Sequence, residues 1–182
     1  MVRLAPVLHS GDLPLAELCA ARLDGELVAL DDCFVSIDTA ILASTRAAAV
    51  ARDWSPRLIA EQATAAWIWG ATPLPPPRHQ LCASLERRAR PPTPARCLLR
   101  EVVIDDDEIL LAAGVPVTAP LRTLVDIARF SPEFAAAERT TVLNLAALAH
   151  ATTDDCRRAL DRRRNLPGKR LAWARIREVL GG

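Results

Sequence analysis

Tyrosine is missing from the 182 residues, lysine occurs once (Lys169), methionine once, and histidine three times (His9, His79, His150). The five cysteines (Cys19, Cys33, Cys82, Cys97, Cys156) are odd in number and never spaced C-x-x-C. No Cys/His pair has ligand spacing, so a zinc centre is not expected. Scattered cysteines do not build a disulfide framework, and buried free thiols are the reading. No apolar run approaches the ~18 residues of a membrane span. The opening MVRLAPVLHSGD lacks a signal-peptide apolar core, which predicts a cytoplasmic protein. The chain has no G-x-S-x-G, no Walker loop, no G-x-G-x-x-G and no H-E-x-x-H. Those gaps exclude the common hydrolase, nucleotide-triphosphatase, dinucleotide and zinc-protease sites, and no cofactor is expected. Net charge is only +1, from 23 basic and 22 acidic residues, so the chain is not uniformly basic.

What is present suffices for a core. Hydrophobic residues make up 51% and charged residues 25%, as in one domain or two small ones. Leu13–Leu23 has helical apolar spacing, with Asp12 and Pro14 to open it and Asp24-Gly25 to stop it. Glu26–Leu30 and Cys33–Ile37 predict a hairpin across Asp31-Asp32, and a helix followed by a hairpin is the second half of a winged-helix module. Ile41–Asp53 reads as a helix. Ser55-Pro56 reads as the start of another that runs through LIAEQATAAWIWG to Gly70. Thr72–Pro77 is a stiff connector. His79–Ala83, Cys97–Ile104, Ile109–Leu111 and Val115–Val117 read as strands. Helices are predicted over Leu121–Arg129, from Ser131-Pro132 to about His150, over Asp154–Arg164 behind a Thr152/Asp155 capping box, and from Gly168 to Leu180.

Charge is strongly segregated. Residues 1–53 hold four arginines against eight acids, and residues 101–153 hold three arginines against eight acids. Residues 78–100 hold six arginines, including Arg87, Arg88 and Arg90, against Glu86 alone. Residues 154–182 hold nine cations against four acids. Arg162, Arg163 and Arg164 end a helix, where the dipole suits cations; Lys169 and Arg170 open one, where it does not. The misplacement of Lys169 and Arg170, and the two basic blocks around them and around Arg87, mark Arg162, Arg163, Arg164, Lys169 and Arg170, together with Arg87, Arg88 and Arg90, as candidate partner- or nucleic-acid-binding residues. Pairing between the basic and acidic blocks is the alternative. The run Asp105, Asp106, Asp107, Glu108 reads as a solvated turn, with a metal site as the alternative. Arg122 and Asp126 stand at i, i+4 and read as a surface ion pair, with a role in fixing the strand-to-helix junction or in facing a partner as the alternative.

The segment Gly114–Arg129 (GVPVTAPLRTLVDIAR) carries Gly114, Val117, Thr118, Pro120, Arg122, Thr123, Leu124 and Asp126 in the order of a motif found in the AbiEi family. AAWIWG at Ala65–Gly70 and DRRRNLPGKR at Asp161–Arg170 are similar to other parts of that family. These are the antitoxins of type IV toxin–antitoxin systems. The resemblance implies an N-terminal winged helix-turn-helix that binds operator DNA and a C-terminal domain that counteracts a nucleotidyltransferase-like toxin. The winged-helix half here is short and acidic, and a wing reading Asp31-Asp32 repels phosphate.

The expected fold is α+β: a truncated winged-helix-like unit over 1–53, and an AbiEi-like interaction domain over 54–182 with a small mixed sheet, packed helices and a helical tail over 152–182. The expected function is a non-catalytic antitoxin or transcriptional regulator that binds DNA, a nucleotidyltransferase-type toxin, or both. The alternatives are a metal-dependent nuclease or nucleotidyltransferase relative, and a protein that only dimerises, through Leu18 and Leu23.

Overall fold

The computed structural model describes residues 5–52, 54–86 and 95–181. Helix α1 spans Leu15–Leu23 and ends where Gly25 takes φ 79°. Strands β1 (Leu27–Leu30) and β2 (Cys33–Ser36) pair antiparallel, Leu27 opposite Ser36 and Leu30 opposite Cys33, with Asp31 at φ 56° in the turn. Leu8 bridges to Phe34, and Leu18 packs with both. Helix α2 is Ala43–Val50.

The stretch after Ser55 corrects the sequence reading. It is not one helix but strand β3 (Ile59–Ala60) followed by helix α3 (Gln62–Ile68). β3 lies in the middle of a five-stranded sheet of order β5-β4-β3-β7-β6. It is antiparallel to β4 (His79–Ser84) and parallel to β7 (Val115–Thr118). Leu58, Ile59 and Ala60 are buried, and pairing on both edges outweighs the local helical pattern. Gln62 at φ 48° makes the break between strand and helix. β5 (Cys97–Val102) runs parallel to β4, and β6 (Ile109–Ala112) forms a hairpin with β7. Ala113 and Gly114 both have positive φ (50° and 82°), which a two-residue hairpin turn of this hand requires.

Four helices complete the chain: α4 (Pro120–Phe130), α5 (Ala136–Ala149), α6 (Thr153–Asp161) and α7 (Lys169–Leu180). Two bounds differ from expectation. α5 starts after Ser131-Pro132, because Glu138 accepts from the Ala135 N–H (3.1 Å) and fixes the first turn there. α6 stops at Asp161, before the Arg162–Arg164 run. Its start is the expected capping box, with Thr152 and Asp155 bonded reciprocally (2.8 and 3.2 Å).

Two apolar clusters hold the body. One joins hairpin residues Leu30, Cys33 and Val35 to Leu58, Ala60, Trp67, Leu81 and Val117. The other gathers α3 to α7 around Leu124, Ala128, Leu145, Leu160 and Ile176. α4 touches α3, α5, α6 and α7, so its side chains meet every element of the helical layer. Among the described residues no helix is long and apolar enough to cross a membrane.

Candidate functional site

The Gly114–Arg129 motif lies at the centre of the body. β7 delivers Thr118 to its end, and Pro120, with its fixed φ and missing donor, opens α4. The Thr118 and Thr123 hydroxyls lie 2.7 Å apart, and Thr123 Oγ1 donates to the Thr118 carbonyl at 2.9 Å. Trp69 Nε1 donates to the same carbonyl at 2.9 Å. Both threonines are fully buried, so strand, helix and α3 are locked at one point.

Arg122 and Asp126 are not a surface pair. Their side chains are 7% and 0% exposed, and Arg122 Nε lies 2.8 Å from Asp126 Oδ2. Both face inward on α4, where further charges meet them. Arg122 Nη1 reaches Glu108 Oε2 at 2.8 Å, and Arg129 Nη1 reaches Asp126 Oδ1 at 2.7 Å. On β5, Arg100 grips Glu61 with two bonds of 2.7 Å and comes within 3.6 Å of Asp126. The Arg100 and Arg129 guanidiniums stack on Phe130, 4.2 and 4.3 Å from its ring centre. Arg163 donates to Glu108 at 3.0 and 2.5 Å and to Asp105 at 2.9 Å.

The acidic turn is therefore spent on arginines. Asp105–Glu108 forms a 3₁₀ turn over Asp106–Glu108, with Glu108 accepting from the Asp105 N–H (3.0 Å). Asp107 receives Arg162 at 2.8 Å. Burial works to raise the Glu108 carboxyl, but the bonds from Arg163 and the Arg122 charge hold it below the usual range. Burial pushes the Arg129 guanidinium down, and the neighbouring Arg122 and Arg100 charges push the same way against Asp126.

The expected binding residues divide by position. Arg162 and Arg163 pair with the acidic turn, so part of the tail's positive charge is used within the fold. Lys169 pairs with Asp161 at 2.7 Å. Arg164 and Arg170 are exposed and form no ion pair among the described residues. They flank the α6–α7 turn, where Gly168 (φ 76°) precedes α7 without a side-chain cap. Arg87, Arg88 and Arg90 lie outside the described residues.

Sequence reasoning missed Glu61 and Arg100 as members of this network. Each is a charge inside an apolar run, LIAEQ and CLLREV, and that was the available signal. It also missed the fate of the hairpin tip. His79 Nε2 meets Asp31 Oδ2 at 3.1 Å, and Arg96 bonds Asp32. The bond from His79 lowers the Asp31 carboxyl against the effect of burial. The tip is thus clamped to the start of β4 and to the residue before β5.

No curated protein matches the sequence. A solved structure, the crystal structure of RV2827C protein from Mycobacterium tuberculosis, shares the fold at TM-score 0.50 and 18% identity, over 97% of this chain and 72% of that one. The family described as "AbiEi antitoxin C-terminal domain" matches residues 58–181, from the residue before β3 to the end of α7. That span takes in the five-stranded sheet, the threonine lock and the whole arginine–carboxylate network, and through it the chain belongs to the AbiEi antitoxin family.

Proposed function

We propose that this protein is a non-catalytic antitoxin that acts by binding, with the basic turn between α6 and α7 as its partner surface. The observation that carries the reading is the pair Arg164 and Arg170. Both are exposed with no ion pair among the described residues, beside a helix start whose dipole disfavours cations. Arg162, Arg163 and Lys169 stand next to them but are tied to acids of the chain, so they shape the surface more than they bind. Leu171, 48% exposed, adds an apolar contact. Arginine beside an exposed apolar side chain suits a protein partner with an acidic face. A nucleotidyltransferase-type toxin is that partner in this reading. Residues 1–53 serve as a degenerate winged-helix-like unit and 54–182 as the interaction domain, in a bacterial cytoplasmic protein.

Operator DNA is the second reading. The clamped tip at Asp31 and Asp32 speaks against a wing that inserts into DNA, and favours contact through the tail instead. The two readings separate by experiment. Titration with duplex DNA from upstream of the gene, at rising salt, gives a steep fall in affinity if phosphates are contacted. Co-purification with the product of the neighbouring reading frame, lost on charge reversal at Arg164 and Arg170, supports the toxin reading.

A further inference from the structure

Between α4, the acidic turn and the α6–α7 loop lies a small cavity of about 130 Å³. Its walls include Leu121, Val125, Ala159 and Leu166, and Arg122 and Arg129 line it. We propose that this cavity binds a phosphate group, either the free ion or a phosphomonoester end.

Hydrogen-bond accounting supports the assignment. Arg122 spends Nε on Asp126 and Nη1 on Glu108 and, at 3.5 Å, on the Val103 carbonyl. Arg129 spends Nε on the Pro167 carbonyl and Nη1 on Asp126. The Nη2 group of each has no hydrogen-bond partner among the described residues, although the two side chains are only 7% and 6% exposed. Neither Nη2 is sealed off: the one fully enclosed side-chain donor without a partner among the described residues is Arg46 Nε. Both Arg122 and Arg129 line this cavity. Two unspent donors on buried guanidiniums, in a space too small and too free of aromatics for a base, fit a tetrahedral oxyanion.

The carboxylates at the mouth do not cancel this. Asp107 is paired with Arg162, and Glu108 with Arg122 and Arg163, so each carboxylate charge that lines the cavity is met by a guanidinium. Arg129 is the least compensated cation of the group, because it shares Asp126 with Arg122 and stands near Arg100. An anion at its Nη2 balances it. Bound there, phosphate ties α4 to the acidic turn and the α6–α7 loop.

The test is calorimetric titration of the full chain with inorganic phosphate at constant ionic strength set by chloride. Saturable one-to-one binding is expected, with competition by sulfate and none by acetate. No heat at about 10 mM phosphate, ten times a Kd of about 1 mM, overturns the proposal. Ala159→Leu fills the cavity and leaves both arginines in their ion pairs, and it is expected to weaken binding at least tenfold. Equal binding by that variant, with an unchanged melting curve, also overturns the proposal. Titration with phenyl phosphate identifies the source: binding as tight as the free ion assigns a phosphomonoester end, and loss of binding assigns free phosphate.

Discussion

Asp126 Oδ2 accepts Arg122 Nε at 2.8 Å while its other oxygen accepts Arg129 Nη1 at 2.7 Å, and its side chain is fully buried. One carboxylate on α4 thus balances two guanidiniums of the same helix, with Arg100 at 3.6 Å. Breaking a buried pair from one side leaves uncompensated charge. Asp126→Ala is expected to cost about 3–5 kcal/mol in denaturant unfolding. Arg139→Ala, which removes an exposed pair with Glu178, is expected to cost less than about 1 kcal/mol.

The threonine lock makes a separate prediction. Thr123→Val keeps shape but leaves the buried Thr118 hydroxyl without its acceptor at Thr123. A loss of about 1–3 kcal/mol is expected in the same assay. Thr140→Val, whose hydroxyl serves only the exposed face of α5, should stay within about 0.5 kcal/mol.

Acid sensitivity follows from Glu108 and Asp31. Both carboxyls titrate lower in the fold than free, so they add stability that is complete above about pH 4.5 and is lost as pH falls through their folded values. The unfolding midpoint is expected to be flat from pH 7 to about 5 and to drop steeply below. Glu108→Gln should start lower and show a shallower drop. An equal slope in that variant would place the acid sensitivity elsewhere.

Thiol chemistry reads burial directly. Cys19 is exposed and the other four cysteines are buried; burial pushes Cys33 and Cys156 up to about 11. A thiol reagent at pH 8 is expected to label one cysteine per native chain, at Cys19, and all five after unfolding.

Much of the local structure was legible because it rests on local chemistry. The capping box at Thr152 and the stop of α1 at Asp24-Gly25 are fixed by residues within one turn of each other. β3 was not legible, since two residues in mid-sheet owe their conformation to β4 and β7, far along the chain. The burial of Arg122 and Asp126 was hidden for the same reason. An i, i+4 ion pair looks the same on paper at the surface and in the interior; Glu61, Arg100 and Glu108 decide it, and they come from other elements. Segregated charge was visible, but not that Asp105 and Glu108 would meet Arg163 across 58 and 55 residues.

The central claim is that the α6–α7 turn is where this antitoxin meets its partner. It is tested most directly by measuring partner binding, with the neighbouring-frame product and with upstream duplex DNA, for wild type and for Arg164→Glu/Arg170→Glu. Both positions are exposed and lack ion pairs among the described residues, so the variant is expected to melt like wild type. Binding weakened at least tenfold with an unchanged melting curve is the predicted result. Full-strength binding of a partner by the reversed-charge variant would contradict the account.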